Sequence, residues 1–272
     1  MSRIETTFAR VREQGSRALI PYLTAGYPAK NDTVALLGAL VAGGADIIEL
    51  GVPFSDPIAD GPTIQRASAE ALKGGVTMND VLEMVREFRK TSETPIVLFG
   101  AYNPFLHYGL EKFAADASKA GVDGVLIPDL PAEEGDEAEP VLRRHGIDLI
   151  YLVAPTTPAS RKAQICGRGS GFIYYISLKG VTGARATLKY ELEQPLKEIR
   201  DCTKLPVAVG FGISTPEQAA VVAHHADAVV VGSALIDVVT KNADSPQLLG
   251  NVESFMRSLK SAIENLEAPA AR

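Results

Sequence analysis

A glutamate inside an apolar run is the first residue in this chain that invites a chemical reading. Asp46-Ile-Ile-Glu-Leu50 reads as a strand, and Glu49 stands three residues from its start. A carboxylate taken out of water is costly unless it is paired or protonated, so its pKa should rise, as a general acid requires. Asp60 follows eleven residues later, after a stretch too irregular for helix or strand. A strand-borne and a loop-borne carboxyl can face each other across the mouth of a barrel. The same residues also fit a quieter arrangement, with Glu49 paired to a structural Arg or Lys and Asp60 capping a helix that starts at Pro62.

Three glycine-rich turns form a second candidate site: Gly180-Val-Thr-Gly183, Gly210-Phe-Gly-Ile-Ser214 and Gly232-Ser-Ala-Leu235. Glycine lets backbone N–H groups approach an anion, and Gly232–Ser233 precedes a short helix whose N-terminus is positive. The pattern predicts a phosphate site. No lysine-based P-loop motif occurs, so a phosphorylated metabolite fits better than a nucleoside triphosphate. The four histidines, His107, His145, His224 and His225, show no metal-type partner at helical spacing, so no metal site is expected. Cys166 and Cys202 have no neighbouring histidine that would mark a nucleophile. The acidic run Glu133–Glu139 reads as a solvated helix start.

These residues need elements to hold them. Short, apolar, β-branched runs at Leu19–Leu23, Asp46–Leu50, Ile96–Phe99, Gly124–Ile127, Leu149–Val153, Phe172–Ile176, Val207–Val209 and Ala228–Val231 read as strands. Most lack period-two alternation, which suits a parallel sheet buried on both faces. Helical spacing predicts segments from Asn31 or Asp32 to Ala42, over Asn79–Lys90 and Leu110–Ala120, and over Thr215–His224, which opens on Thr-Pro. Pro195 is read as the start of another helix, leaving Ser177–Glu191 as a long loop. Eight such repeats predict a single (β/α)8 barrel domain over 1–272, and a doubly wound open sheet is the architectural rival. An extra N-terminal helix, Ile4–Glu13, is expected to close the barrel floor, a phosphate-binding helix to follow strand 8, and Leu248–Leu266 to form the last helix.

Composition narrows the classes. A net charge of −6 argues against a nucleic-acid binder, and two cysteines are too few for a disulfide framework. No apolar run approaches the ~18 residues of a membrane span, and the charged start MSRIETTFARVREQG lacks the apolar core of a secretory signal. A cytoplasmic enzyme is the expectation.

The run Ile48-Glu-Leu-Gly-Val-Pro-Phe-Ser-Asp-Pro-Ile-Ala-Asp-Gly61 resembles the signature of the tryptophan synthase α-subunit family at every constrained position. The resemblance continues in order through Pro21–Pro28, Ile127–Glu134, Gly180–Ala184, Gly210–Ser214 and Gly232–Ala234, over nearly the whole chain. It implies a TIM-barrel lyase of tryptophan biosynthesis. Its reaction is the retro-aldol cleavage of indole-3-glycerol phosphate to indole and D-glyceraldehyde 3-phosphate, with Glu49 as the acid–base residue and Asp60 as the carboxylate facing the indole N–H. By the same resemblance Gly183, Gly212, Gly232 and Ser233 grip the phosphate. Tyr22, Tyr174 and Phe211 line the indole pocket with Leu126 as a further wall, and Thr182 sits in a loop that closes over the substrate. The family's partner is a pyridoxal-phosphate β subunit in an α2β2 heterotetramer. Partner contacts are implied for the loop Pro53–Asp60 with Asp56, for Asn103–Leu106 and for Asp129–Pro131; Pro104 departs from the aliphatic residue of some relatives. The rivals are another phosphate-binding barrel, such as indole-3-glycerol phosphate synthase or a sugar-phosphate isomerase, and a non-catalytic activator of a partner lyase. The first would carry a strand lysine or a cysteine–aspartate set; the second would lose Glu49 or Asp60.

Overall fold

Eight parallel strands close on themselves in chain order. They are β1 (Ala18–Thr24), β2 (Ile48–Gly51), β3 (Ile96–Phe99), β4 (Gly124–Leu126), β5 (Asp148–Val153), β6 (Ile173–Ile176), β7 (Val207–Gly210) and β8 (Ala228–Val231). This computed structural model describes residues 1–176, 185–210 and 212–264, with the backbone alone over 185–191. The helices among them are α1 (Arg3–Glu13), α2 (Thr33–Ala42), α3 (Pro62–Lys73), α4 (Met78–Phe88), α5 (Tyr102–Tyr108), α6 (Leu110–Ala120), α7 (Ala138–Arg144), α8 (Ala159–Arg168), α9 (Arg185–Cys202), α10 (Pro216–Ala223), α11 (Ser233–Lys241) and α12 (Leu248–Glu264). The closed barrel decides against the open sheet.

Local signals set many of these bounds. Ser2 with Glu5, Thr77 with Asp80 and Thr215 with Gln218 form reciprocal capping boxes at α1, α4 and α10. Pro62 and Pro216 take first-turn positions, where no N–H is needed. Two readings are corrected. Strand β2 starts at Ile48 rather than Asp46, because the Asp46 carboxylate is engaged below the sheet. Helix α9 starts at Arg185, so Pro195 lies inside it and 185–191 is helical rather than loop. A mid-helix proline removes one backbone hydrogen bond. Here Leu192, Leu196 and Ile199 continue one buried face across it, and that packing outweighs the local cost. Residues 177–184 and the last two residues of the expected final helix lie outside the described residues.

The barrel interior is filled from below. Ile4, Phe8 and Val11 of α1 pack with Ala18, Ile20, Val97, Leu126, Ile150 and Phe172, so α1 does plug the floor. Gly124 makes room there: a Cβ would stand 2.7 Å from Ile150 Cδ1 and 3.3 Å from Ile4 Cδ1.

The foot of the barrel repeats one device four times. A polar side chain just before each even strand accepts the N–H at the foot of the preceding odd strand. Asp46 takes Leu19, Asp123 takes Ile96, Ser170 takes Leu149 and Asp227 takes Val207, all at 2.8 to 2.9 Å. The carboxylates are also ion-paired: Asp46 to Lys260 (2.7 Å) and Arg10 (3.0 Å), Asp123 to Arg89 (2.6 Å) and Arg3 (3.0 Å). Asp123→Ala should cost about 3–5 kcal/mol in chemical denaturation, because it takes from the nearly buried Arg89 its only carboxylate partner among the described residues and orphans the Ile96 N–H.

Candidate active site

The strand ends opposite that foot open into a cleft of about 480 Å³. Adjacent strands supply its floor: Tyr22 of β1 is in register with Glu49 of β2. Phe99 of β3, Leu152 of β5, Tyr174 of β6 and Val230 of β8 continue it, and Asp60 and Ile64 bring the β2–α3 segment over one side. Of the residues singled out in the sequence, Tyr22, Glu49, Asp60, Tyr174, Gly212, Gly232 and Ser233 all line this cleft. Leu126 does not: its side chain is fully buried in the interior cluster that also holds Tyr174 and Val230. Thr182, Gly183 and Phe211 lie outside the described residues.

Two glycines hold the tyrosines in place. A Cβ on Gly51 would collide with the Tyr22 hydroxyl, and one on Gly210 with the Tyr174 hydroxyl. Each ring therefore reaches across the end of the neighbouring strand, into space that only glycine leaves free. Tyr22 also meets Phe99 edge to face, with centroids 5.5 Å apart at 84°. Burial raises the pKa of both phenols, with Asp60 and then Glu49 adding to the rise at Tyr22 and Glu49 at Tyr174, so both stay neutral.

Glu49 is 1% exposed, and its Oε1 has no hydrogen-bond partner among the described residues. No Lys or Arg among them pairs with it, so the structural ion-pair reading finds no support among the described residues. Burial alone raises its pKa to about 8. Asp60 is only partly buried, and the same cause raises it less, to about 6. Nor is Asp60 a helix cap: Gly61 is the N-cap of α3, and no side chain bonds there. Between about pH 6 and pH 8 the two carboxyls therefore hold opposite states, Glu49 protonated and Asp60 ionised.

The far side of the cleft is built for an anion. Gly232 is the N-cap of α11, without a side-chain cap, and Gly232, Ser233 and Ala234 all face the cleft. The first-turn N–H groups of a helix have no intrahelical acceptor, and the helix dipole adds positive potential. Gly212 lies alongside with φ +74°, a conformation that favours glycine. Ser214, also lining the cleft, is held by Gln218, whose Oε1 accepts its N–H (2.8 Å) and hydroxyl (3.0 Å). Phe99, Leu152, Ile176, Ile64 and Pro128 are lining residues that the motifs did not single out. Phe99 stands two residues beyond Val97, the register partner of Glu49, so inward alternation was the available signal.

Comparison with known proteins agrees with this geometry. The model of the family described as tryptophan synthase alpha chain matches residues 8–264. The chain belongs to the tryptophan synthase α-chain family. A tryptophan synthase alpha chain from Geobacter sulfurreducens is 49% identical over 265 residues, covering 97% of this chain and all of the relative. One from Gluconobacter oxydans is 48% identical over 272 residues, covering 100% and 98%. The crystal structure of the α subunit from Legionella pneumophila superposes with a TM-score of 0.91 at 43% identity, covering 98% of this chain and all of that one. Within tryptophan synthase the α chain is a lyase component, and among the described residues no helix of this member is long and apolar enough to cross a membrane.

The unpartnered Glu49 has a cost that pH should reveal. Above the ordinary value of 4.5 the unfolded chain loses this proton, while the folded chain keeps it up to about 8. Glu49 therefore lowers stability progressively from pH 4.5 to pH 8, and the full cost is present above that. Glu49→Gln carries no such cost. Chemical denaturation should show the variant more stable than wild type at pH 9, on the order of 3–5 kcal/mol, with the two nearly equal at pH 4.5.

Proposed function

We propose that this chain cleaves indole-3-glycerol phosphate to indole and D-glyceraldehyde 3-phosphate by the two carboxyls of the cleft. The observation that carries this reading is the pairing of a buried, partnerless Glu49 with a more exposed Asp60 in one cleft with the N-terminus of α11. Glu49 gives its proton to C3 of the indole ring. The ring then carries positive charge, which the Asp60 carboxylate stabilises through the indole N–H. Glu49, now a carboxylate, takes the proton from the hydroxyl on the adjacent carbon. As the aldehyde carbonyl forms, the carbon–carbon bond breaks and its electrons return to the ring. Glu49 ends protonated, ready for the next turnover. The phosphate sits at α11 and Gly212, and the apolar floor around Tyr22, Phe99 and Tyr174 takes the ring. Thr182, Gly183 and Phe211 belong to this reading through the family motif. The reading needs no metal or organic cofactor in this chain.

No strand among the described residues contains a lysine, which disfavours the synthase alternative. Both carboxyls are present in the cleft, which disfavours a purely activating role. We further propose a cytoplasmic α2β2 assembly in which a pyridoxal-phosphate β subunit receives indole. The segments implied for docking follow β2, β3 and β4, the second of them within α5, and they expose Ile58 (94%) and Leu106 (47%). Asp129 in the third of them accepts the Tyr102 N–H at 2.8 Å, tying that segment to the start of α5.

The reading is tested by assaying cleavage with and without a β subunit, across pH. The profile of kcat/KM should be bell-shaped, with limbs near pH 6 and pH 8. Glu49→Gln should lower kcat by about 10²–10⁴-fold while binding of a glycerol phosphate analogue is kept. Near-wild-type turnover in that variant would sink the assignment. An unchanged rate and elution volume on adding the β subunit would remove the partnership. At Gly232 a Cβ meets nothing closer than Tyr22 Cβ at 3.7 Å, so Gly232→Asp adds charge without a clash at the backbone. It should raise KM at least tenfold, and an unchanged KM would move the phosphate elsewhere.

A further inference from the structure

The two cysteines of the chain, 36 residues apart in sequence, meet on the outside of the barrel. Cys166 on α8 and Cys202 at the end of α9 have their sulfurs 2.8 Å apart, and both are free thiols. They share a carbonyl: Ile199 O accepts from Cys202 Sγ at 3.1 Å and from Cys166 Sγ at 3.9 Å. One helical turn earlier on both helices, Lys162 and Glu198 form an ion pair of 2.5 Å, with the Lys162 side chain only 9% exposed. Ion pair and thiol pair thus stand at matching i and i+4 positions, and the first holds the helices at the spacing the second needs. Cys166 is buried, whereas Cys202 is partly exposed.

We propose that Cys166 and Cys202 are a modification site that takes a small-molecule disulfide of the glutathione type and becomes an intramolecular disulfide. The sulfurs, 2.8 Å apart, lie within about 1 Å of an S–S bond (~2.04 Å). The accessible Cys202 attacks first as its thiolate, forming a mixed disulfide and releasing one small thiol. Cys166 then loses its proton and attacks the Cys202 sulfur, expelling the second small thiol. Two protein thiols are oxidised by two electrons, and one small disulfide is reduced to two thiols. The bond closes a loop that carries β6 with Tyr174, so the unfolded chain loses freedom while the folded chain is little changed. Burial, the larger cause of the raised Cys166 pKa, persists once Cys202 is in the mixed disulfide and makes the second step the slower one.

The full chain should be titrated with reduced and oxidised glutathione at fixed pH, with thiols counted after unfolding and masses read on the intact protein. The expected product is a monomer with titratable thiols reduced from two to none and two hydrogens lost. Its thermal midpoint should be higher by roughly 5–10 °C, and its Cys166–Cys202 peptide should be released by reductant. Cys166→Ser should stop at a lasting glutathione adduct on Cys202, and the reduced form of this variant should cleave substrate at the wild-type rate. A lasting adduct on the wild-type chain, disulfide-linked dimers, or two thiols surviving oxidised glutathione in excess would each overturn the proposal.

Discussion

A carboxyl group without a partner, sealed inside a barrel, is the constraint around which the rest of this molecule is arranged. Glu49 cannot ionise cheaply where it stands, because among the described residues burial is opposed by no cation and no hydrogen bond to Oε1. Holding it there takes an interior that stays dry beneath it. The floor helix α1, the Phe8–Phe172 contact at 5.8 Å and the filled layer around Leu126 and Ile150 provide that. A looser interior would admit water, lower the pKa of Glu49 and make it an ordinary carboxylate. The acid strength of one residue thus depends on the packing of several strands.

The two ends of the barrel divide the work. At the foot, acidic and hydroxyl side chains satisfy strand N–H groups and anchor surrounding cations, which favours one closed register. At the mouth the polar groups are left less satisfied. Glu49 Oε1 has no partner among the described residues, Asp60 is half-buried and the first turn of α11 lacks a side-chain cap. Unsatisfied groups of this kind are costly in a scaffold and useful in a site, because a substrate can supply what is missing. Gly51 and Gly210 serve the same end by omission, leaving two tyrosine rings the space to frame the floor.

Much of this was legible in the sequence because it is local. Strand positions followed from apolar runs, helix starts from Thr-Pro and capping residues, and the carboxyl pair from an acidic residue in an apolar strand. What escaped depended on contacts between distant segments. Pro195 looked like a helix start because the buried face formed by Leu192, Leu196 and Ile199 shows only once α9 packs on the barrel. Asp46 looked like part of a strand because its partners, Leu19 and Lys260, are far away in the chain. Leu126 was expected at the cleft wall but is fully buried in the barrel interior, and alternation alone tells inward from outward, not lining from buried. The meeting of Cys166 and Cys202 likewise requires the crossover through β6 to bring two helices together.

The ionisation of Glu49 in the free protein tests the central claim most directly. Infrared difference spectra of wild type against Glu49→Gln, taken across pH, isolate the carbonyl stretch of a protonated carboxylic acid. That band should persist through neutral pH and vanish with a midpoint near 8. A band lost near 4.5, the ordinary value for glutamate, would mean that the barrel does not hold this proton, and the acid–base role built on it would fail.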